Sequence, residues 1–219
     1  MSDAGAGTPQ YIRGVPHPLP AGERLLWEGA PDTRAIATHV FHWRLIAGYF
    51  AAMLALWAFT TELSFGSQDF LASLSMRIGL SLLVLAIVLV LSKVVANTSW
   101  YAITSQRVVL RVGMVLPMSI NVPFTILESA GLGMFRDKSG QVALRLTPGN
   151  RLAYIALWPH CRVFRITQPE PVLRGLTDAA RVGDILATAV ADAANADARI
   201  NRRRERHADA VGVPQPAGA

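Results

Sequence analysis

Two long apolar runs limit what this sequence can become. Residues 45–63 read LIAGYFAAMLALWAFTTEL and residues 78–96 read IGLSLLVLAIVLVLSKVVA. Each run of roughly 19 residues would rise about 28 Å as an α-helix, close to the ~30 Å of a bilayer hydrocarbon core. The charges fall near the run ends, and Lys93 lies where a lysine can snorkel to the interface. The apolar fraction of 52% and the mean hydropathy of +0.32 agree, while the charged fraction of 16% is below the ~25% of ordinary soluble domains. The two runs are read as a transmembrane hairpin.

Orientation follows from the flanking cations. Arg34 and Arg44 precede the first run, Lys93 and Arg107 mark the exit of the second, and the intervening loop 64–77 offers only Arg77. Basic residues stay on the cytoplasmic side, so both termini are expected there, in a multi-pass protein of a bacterial inner (intracytoplasmic) membrane. The first ten residues lack a basic segment followed by an apolar one, so the first span is expected to be an uncleaved anchor. Trp43, Arg44, Lys93, Trp100 and Tyr101 are the expected interface residues. Gly48, Ala52 and Ala55 form a small-residue stripe, which is expected to let the second span approach closely, with a helix of another protein as the alternative.

Residues 1–18, rich in Gly, Pro and Ala, read as a flexible arm. Residues 19–44 carry the apolar cluster Leu25, Leu26 and Trp27, expected to pack on the later domain, and an interfacial helix capped by Asp32. Beyond the second run the periodicity changes to strand-like alternation, as in SWYAITSQRVVLRVG, with Ser105 and Gln106 at a turn. Further strands are expected at 119–122, 129–136, 142–146, 152–158 and 163–166, with a turn at Asp137 to Gly140. Residues 169–177 read as a proline-braced connector, and Asp178 as the cap of a helix burying Val182, Ile185, Leu186, Ala189 and Val190. The fold class expected is therefore membrane α+β: a two-helix hairpin, then an antiparallel β-barrel with a C-terminal helix over 97–191. Fraying is expected in the basic tail, 192–219.

The chemistry expected is binding, not catalysis. A formal charge of +6 permits nucleic acid or anionic lipid as partner, and the apolar runs decide for membrane lipid and against nucleic acid. A lone cysteine, Cys161, excludes an internal disulfide framework and a cysteine-rich zinc site. Glu128 and Asp137 stand isolated in sequence, and the pair Gly131 and Gly133 lacks the third glycine of a dinucleotide loop. His39 and His42 have i, i+3 spacing that would suit a metal or a pigment magnesium, but with no acidic third ligand they are read as polar residues at a wet interface. No catalytic, cofactor-binding or metal-ligating residue is assigned. The arginines between Arg199 and Arg206 suit either anionic lipid or a helix C-terminus. Trp158, Pro159 and His160, with Pro169, Glu170, Pro171, Leu173 and Arg174, are the expected partner-binding residues, because rigid loops bearing aromatic and Arg side chains make good anchors.

The string Tyr101, Ile103, Thr104, Arg107, Val108, Val109 and Gly113 behind a membrane hairpin, with GERLLWEGAP before it, resembles bacterial pleckstrin-homology-like membrane proteins. VLPMSINVPF, LWPH and PEPVLRGL narrow the resemblance to the PuhB family of photosynthetic-complex assembly proteins of purple bacteria. It covers most of residues 22–190. The resemblance implies a pleckstrin-homology-like barrel and a non-enzymatic role in assembling the reaction centre and its core light-harvesting ring. Its subunits are then the expected partners, and pairing with a second copy stays open. The alternative reading is a lipid-headgroup or membrane-stress signalling module.

Overall fold

The computed structural model describes residues 18–20, 22–113, 118–147, 160 and 170–211. Strand β1, Leu25–Gly29, opens the fold, and the next strand it pairs with lies on the far side of the hairpin. Between them come α1 (Thr33–His39), α2 (Trp43–Thr60) and α3 (Gln68–Thr98). Strand β2, Trp100–Thr104, then returns antiparallel to β1, with Trp27 opposite Ile103 and Gly29 opposite Tyr101. The hairpin is thus an insertion into the β domain, not a leader in front of it. The expectation that Leu25 to Trp27 packs on the later domain is met in a stronger form, since the segment is a strand of that domain.

Strands β3 (Arg107–Val112) and β4 (Met118–Pro123) complete a sheet of order β1-β2-β3-β4. Strands β5 (Leu127–Met134), β6 (Gly140–Leu146) and β7 (Val172–Leu176) form a second, of order β5-β6-β7. Helix α4, Ala179–Val211, begins where Asp178 Oδ1 accepts from the Arg181 amide, and packs along β5 and β6. A single core joins both sheets and this helix: Tyr101, Ile103, Leu110, Leu144, Leu173, Leu176 and Leu186 are all buried. Burying one such leucine removes enough apolar surface from water to be worth about 1.5–3 kcal/mol.

Among the described residues the strands form two antiparallel sheets without a closed barrel, the 3-10 turn Phe124–Ile126 leading the chain from the first sheet to the second. Expectations for two segments are corrected. Residues 68–77 are helix instead of loop: the Ser67 hydroxyl accepts from the Phe70 amide and starts α3 ten residues early, a cap worth about 1 kcal/mol. The expected connector 169–177 contains β7, whose side chains are mostly buried. Helix α4 continues past Asp192 to Val211, and its residues from Ala194 to His207 are exposed. The strands expected at 152–158 and 163–166 lie outside the described residues.

Helices α2 and α3 are long and apolar enough to cross a membrane. Leu45, Tyr49, Leu56, Phe59, Leu80, Leu82, Leu83 and Ile87 all point outward. At ~1.5 Å per residue α3 measures about 46 Å, so its ends would emerge from a ~30 Å core. The far end of the hairpin is closed by aromatic contacts, Trp57 on Phe70 and Phe65 on Phe70, with the Arg77 guanidinium 4.3 Å from the Trp57 ring centroid.

The expected small-residue interface is also corrected. Gly48, Ala52 and Ala55 are exposed, and a Cβ on Gly48 would meet nothing within 4 Å. The small residues buried on α3 are Ser81, Ser92 and Ala96, and both serine hydroxyls return to the carbonyl four residues back, Arg77 O and Val88 O. That bond satisfies the hydroxyl without a partner helix, so serine acts here as a small spacer. Ser92→Leu should overfill this side of α3 and cost about 1–3 kcal/mol, read as a lower thermal midpoint in detergent; an unchanged midpoint would contradict the packing.

Candidate functional site

Hydrogen-bonded polar side chains gather where the hairpin joins the β domain. Asp32 caps α1 by accepting from the Ala35 amide, and its own amide donates to Gly175 O of β7 at 2.8 Å. Ala35, Ile36 and Ala37 are buried, and α1 touches both α3 and β7. At its C-terminal end His39 stacks on Phe135, ring centroids 3.8 Å apart, and its Nε2 meets Asp137 Oδ2 at 2.8 Å. Asp137 sits at the β5–β6 turn, where the Ser139 hydroxyl and His39 bond its carboxylate and hold its pKa at about 2. The seven-residue α1 is therefore held by β7 at one end and by the β5–β6 turn at the other.

A buried network ties the exit of α3 to the same place. Ser99, the cap residue between α3 and β2, meets His160 Nε2 at 2.8 Å through its Oγ. The Tyr101 hydroxyl meets His160 Nδ1 at 2.7 Å and accepts from the Arg174 amide. His160 O in turn accepts from the Val172 amide. Burial, aided by the charge of Arg174, pushes the His160 imidazole down to about 3, so it is neutral at ordinary pH. Burial likewise raises the Tyr101 phenol above its usual range. Ser99 and His160 have the contact of a nucleophile and its base, but both are sealed from solvent and the other ring nitrogen faces a phenol where an orienting acid would stand. The arrangement works as a hydrogen-bonded lock.

The structure redistributes the expected site. His160, Glu170, Pro171 and Leu173 are interior, so the exposed anchor surface expected of them is corrected: Leu173 lies on β7 and in the core, while His160, Glu170 and Pro171 are buried beside that strand. Arg174 is half-buried, and Glu170 Oε1 accepts from Arg145 Nε at 3.2 Å. Trp158, Pro159 and Pro169 lie outside the described residues. Of the interface set, Arg44 and Lys93 are exposed and Trp43 is half-buried, with the Arg44 guanidinium 5.8 Å from its ring centroid. Trp100 is half-buried and packs with Leu19 and Leu25 against Ala102 and Val109, whereas Tyr101 is fully buried, so the interface place expected of Tyr101 is corrected. Strand alternation turns the two to opposite sides of β2.

His39 and His42 do not share a helix. His42 is the cap residue of α2, in left-handed backbone at φ 52°, and its Nδ1 bonds Val40 O. Among the described residues no three His, Cys, Asp or Glu side chains gather as a metal set. Sequence reasoning missed the His39–Asp137 and Tyr101–His160 contacts, for which no local spacing exists. It also missed the partner of Arg107, whose guanidinium forms a two-pronged pair with the buried Glu23 at 2.9 and 3.0 Å, tying β3 to the lead-in of β1.

Fold and junction together define an α+β protein in which two long apolar helices are spliced between the first two strands of a two-sheet domain. A relative from Rhodobacter capsulatus, described as an uncharacterized 23.7 kDa protein in the puhA 5' region, is 36% identical over 181 residues, 80% of this chain and 83% of the relative. The chain belongs to the family of that protein. No family model and no solved structure matches it.

Proposed function

We propose that this protein is a membrane-anchored, non-enzymatic assembly factor for the purple-bacterial reaction centre and core light-harvesting complex. The relative's position 5' of puhA supports a photosynthetic setting, and the resemblance to PuhB supplies the assembly role. The observation that carries the reading is the splice: α2 and α3 leave the β domain after β1 and return to it at β2. A helical hairpin held this way fixes the domain's distance and angle from the bilayer surface, as a scaffold gripping membrane subunits needs. Outward apolar side chains along both helices support crossing of the inner membrane, since a soluble surface rarely leaves so large an apolar patch uncovered. The cation pattern supports a cytoplasmic β domain. Four strands, three strands and a C-terminal helix fit the pleckstrin-homology-like module that the sequence resembles.

The full chain, affinity-purified from mildly solubilised photosynthetic membranes, should recover reaction-centre or core light-harvesting subunits. A strain lacking the gene should then show reduced core-complex absorbance. Recovery of neither subunit, with normal core-complex absorbance, would overturn the assembly role and favour lipid or stress signalling.

A further inference from the structure

A cleft of about 480 Å³ opens between α1, the start of α2 and the β5–β6 turn. Arg34, Arg44 and Arg136 line it, with the hydroxyl residues Thr38 and Thr177. All three arginines are exposed, and none pairs with a carboxylate within 4 Å among the described residues. Two carboxylates also line the cleft; three of their four oxygens accept hydrogen bonds from the protein, and the three guanidinium groups outnumber them. Asp32 Oδ2 accepts from the Ala35 amide, Asp137 Oδ2 faces His39, and Asp137 Oδ1 accepts from the Ser139 amide and hydroxyl. Three planar guanidinium groups around one cleft suit a phosphate, which accepts several of their N–H bonds at once.

The position of Arg44 narrows the source of that phosphate. It is the second residue of α2, and Gly48, Ala52 and Ala55 follow it at spacings of four, four and three, on one face of the helix. That face is the exposed small-residue stripe, with open space above Gly48 and the apolar Leu45 and Tyr49 exposed nearby. An exposed face of small and apolar residues therefore runs on from Arg44, the residue of α2 that lines the cationic cleft. We propose that this combined surface binds one anionic membrane phospholipid, its headgroup phosphate among Arg34, Arg44 and Arg136 and an acyl chain along Gly48, Ala52 and Ala55.

The proposal rests on the hairpin lying in a bilayer but not on the assembly role. The full chain in a neutral maltoside detergent is titrated with dioctanoyl-phosphatidylglycerol, dioctanoyl-phosphatidylcholine or inorganic phosphate, and bound ligand is counted by native mass spectrometry. Phosphatidylglycerol should bind at least tenfold more tightly than phosphatidylcholine. The double variant Arg34→Gln/Arg136→Gln should weaken it roughly 30-fold, taking about 1 kcal/mol per basic residue near a lipid phosphate. The control Arg203→Gln/Arg204→Gln, which removes equal charge from the exposed end of α4, should leave binding unchanged. Equal binding of the two lipids, or equal losses in the two double variants, overturns the proposal. So does displacement by equimolar inorganic phosphate, which would make this a free-phosphate site. Loss of reaction-centre capture would leave all of these results standing.

Discussion

Acidification from about pH 7 to about pH 4.5 should destabilise the β domain, and His160 should account for most of the slope. Burial, reinforced by Arg174, lowers this imidazole from 6.5 to about 3 in the folded protein. The unfolded chain therefore binds a proton in that interval that the folded chain refuses, and the stability, complete above about pH 6.5, drains away as the pH falls toward 3. Asp137 acts in a lower window: its depressed carboxylate contributes above its ordinary 3.8 and loses that contribution as the pH falls through about 2. His160→Leu should flatten the upper slope. It should also cost about 2–4 kcal/mol at neutral pH, since Ser99 and Tyr101 each lose a buried hydroxyl partner. Thermal midpoints of the full chain in detergent, followed by near-UV circular dichroism, read both effects. A wild-type midpoint independent of pH, or a variant as stable as wild type, would contradict the buried network.

Gly175→Val should be comparably damaging for a different reason. Gly175 holds φ at +68°, and a Cβ there would stand 3.1 Å from Pro31 Cβ and 3.3 Å from the Asp32 amide nitrogen and carbonyl oxygen. The left-handed backbone costs a β-branched residue about 1–2 kcal/mol, and overpacking adds to this, giving about 2–4 kcal/mol in all. The strain falls on the bond from the Asp32 amide to Gly175 O, which fastens α1 to β7. A lower midpoint together with faster proteolysis between α1 and α2 is the expected result. Gly175→Ala should show the same signs more weakly, and wild-type behaviour of the valine variant would mean that α1 is not clamped there.

The features that could be read from the sequence are those written locally. Apolar run length identified both long helices, Ser105 and Gln106 marked the β2–β3 turn, and the alternation of Val142, Leu144 and Leu146 marked β6. Features that depend on distant partners stayed hidden. LLWEG reads as a cluster until Trp100 to Thr104 supplies the neighbouring strand across the hairpin. Pro169 and Pro171 suggest a connector because the pairing of β7 with β6 is what makes Val172 to Leu176 a strand. His160 resembles a loop histidine because Ser99 and Tyr101, its partners, are some sixty residues away. Helix rotation was equally invisible: composition located small residues on both helices, but only packing shows that Ser81 and Ser92 face inward while Gly48, Ala52 and Ala55 face out.

The most direct test of the account is which side of the membrane carries the spliced β domain. Trypsin is applied to right-side-out spheroplasts and to inside-out vesicles, and fragments are followed with antibodies to the β domain. If α2 and α3 cross the bilayer and return β2 beside β1 on the cytoplasmic face, the domain should survive in spheroplasts and be cut in inside-out vesicles. Digestion in intact spheroplasts, or release of the whole chain from membranes by a carbonate wash, would contradict the account.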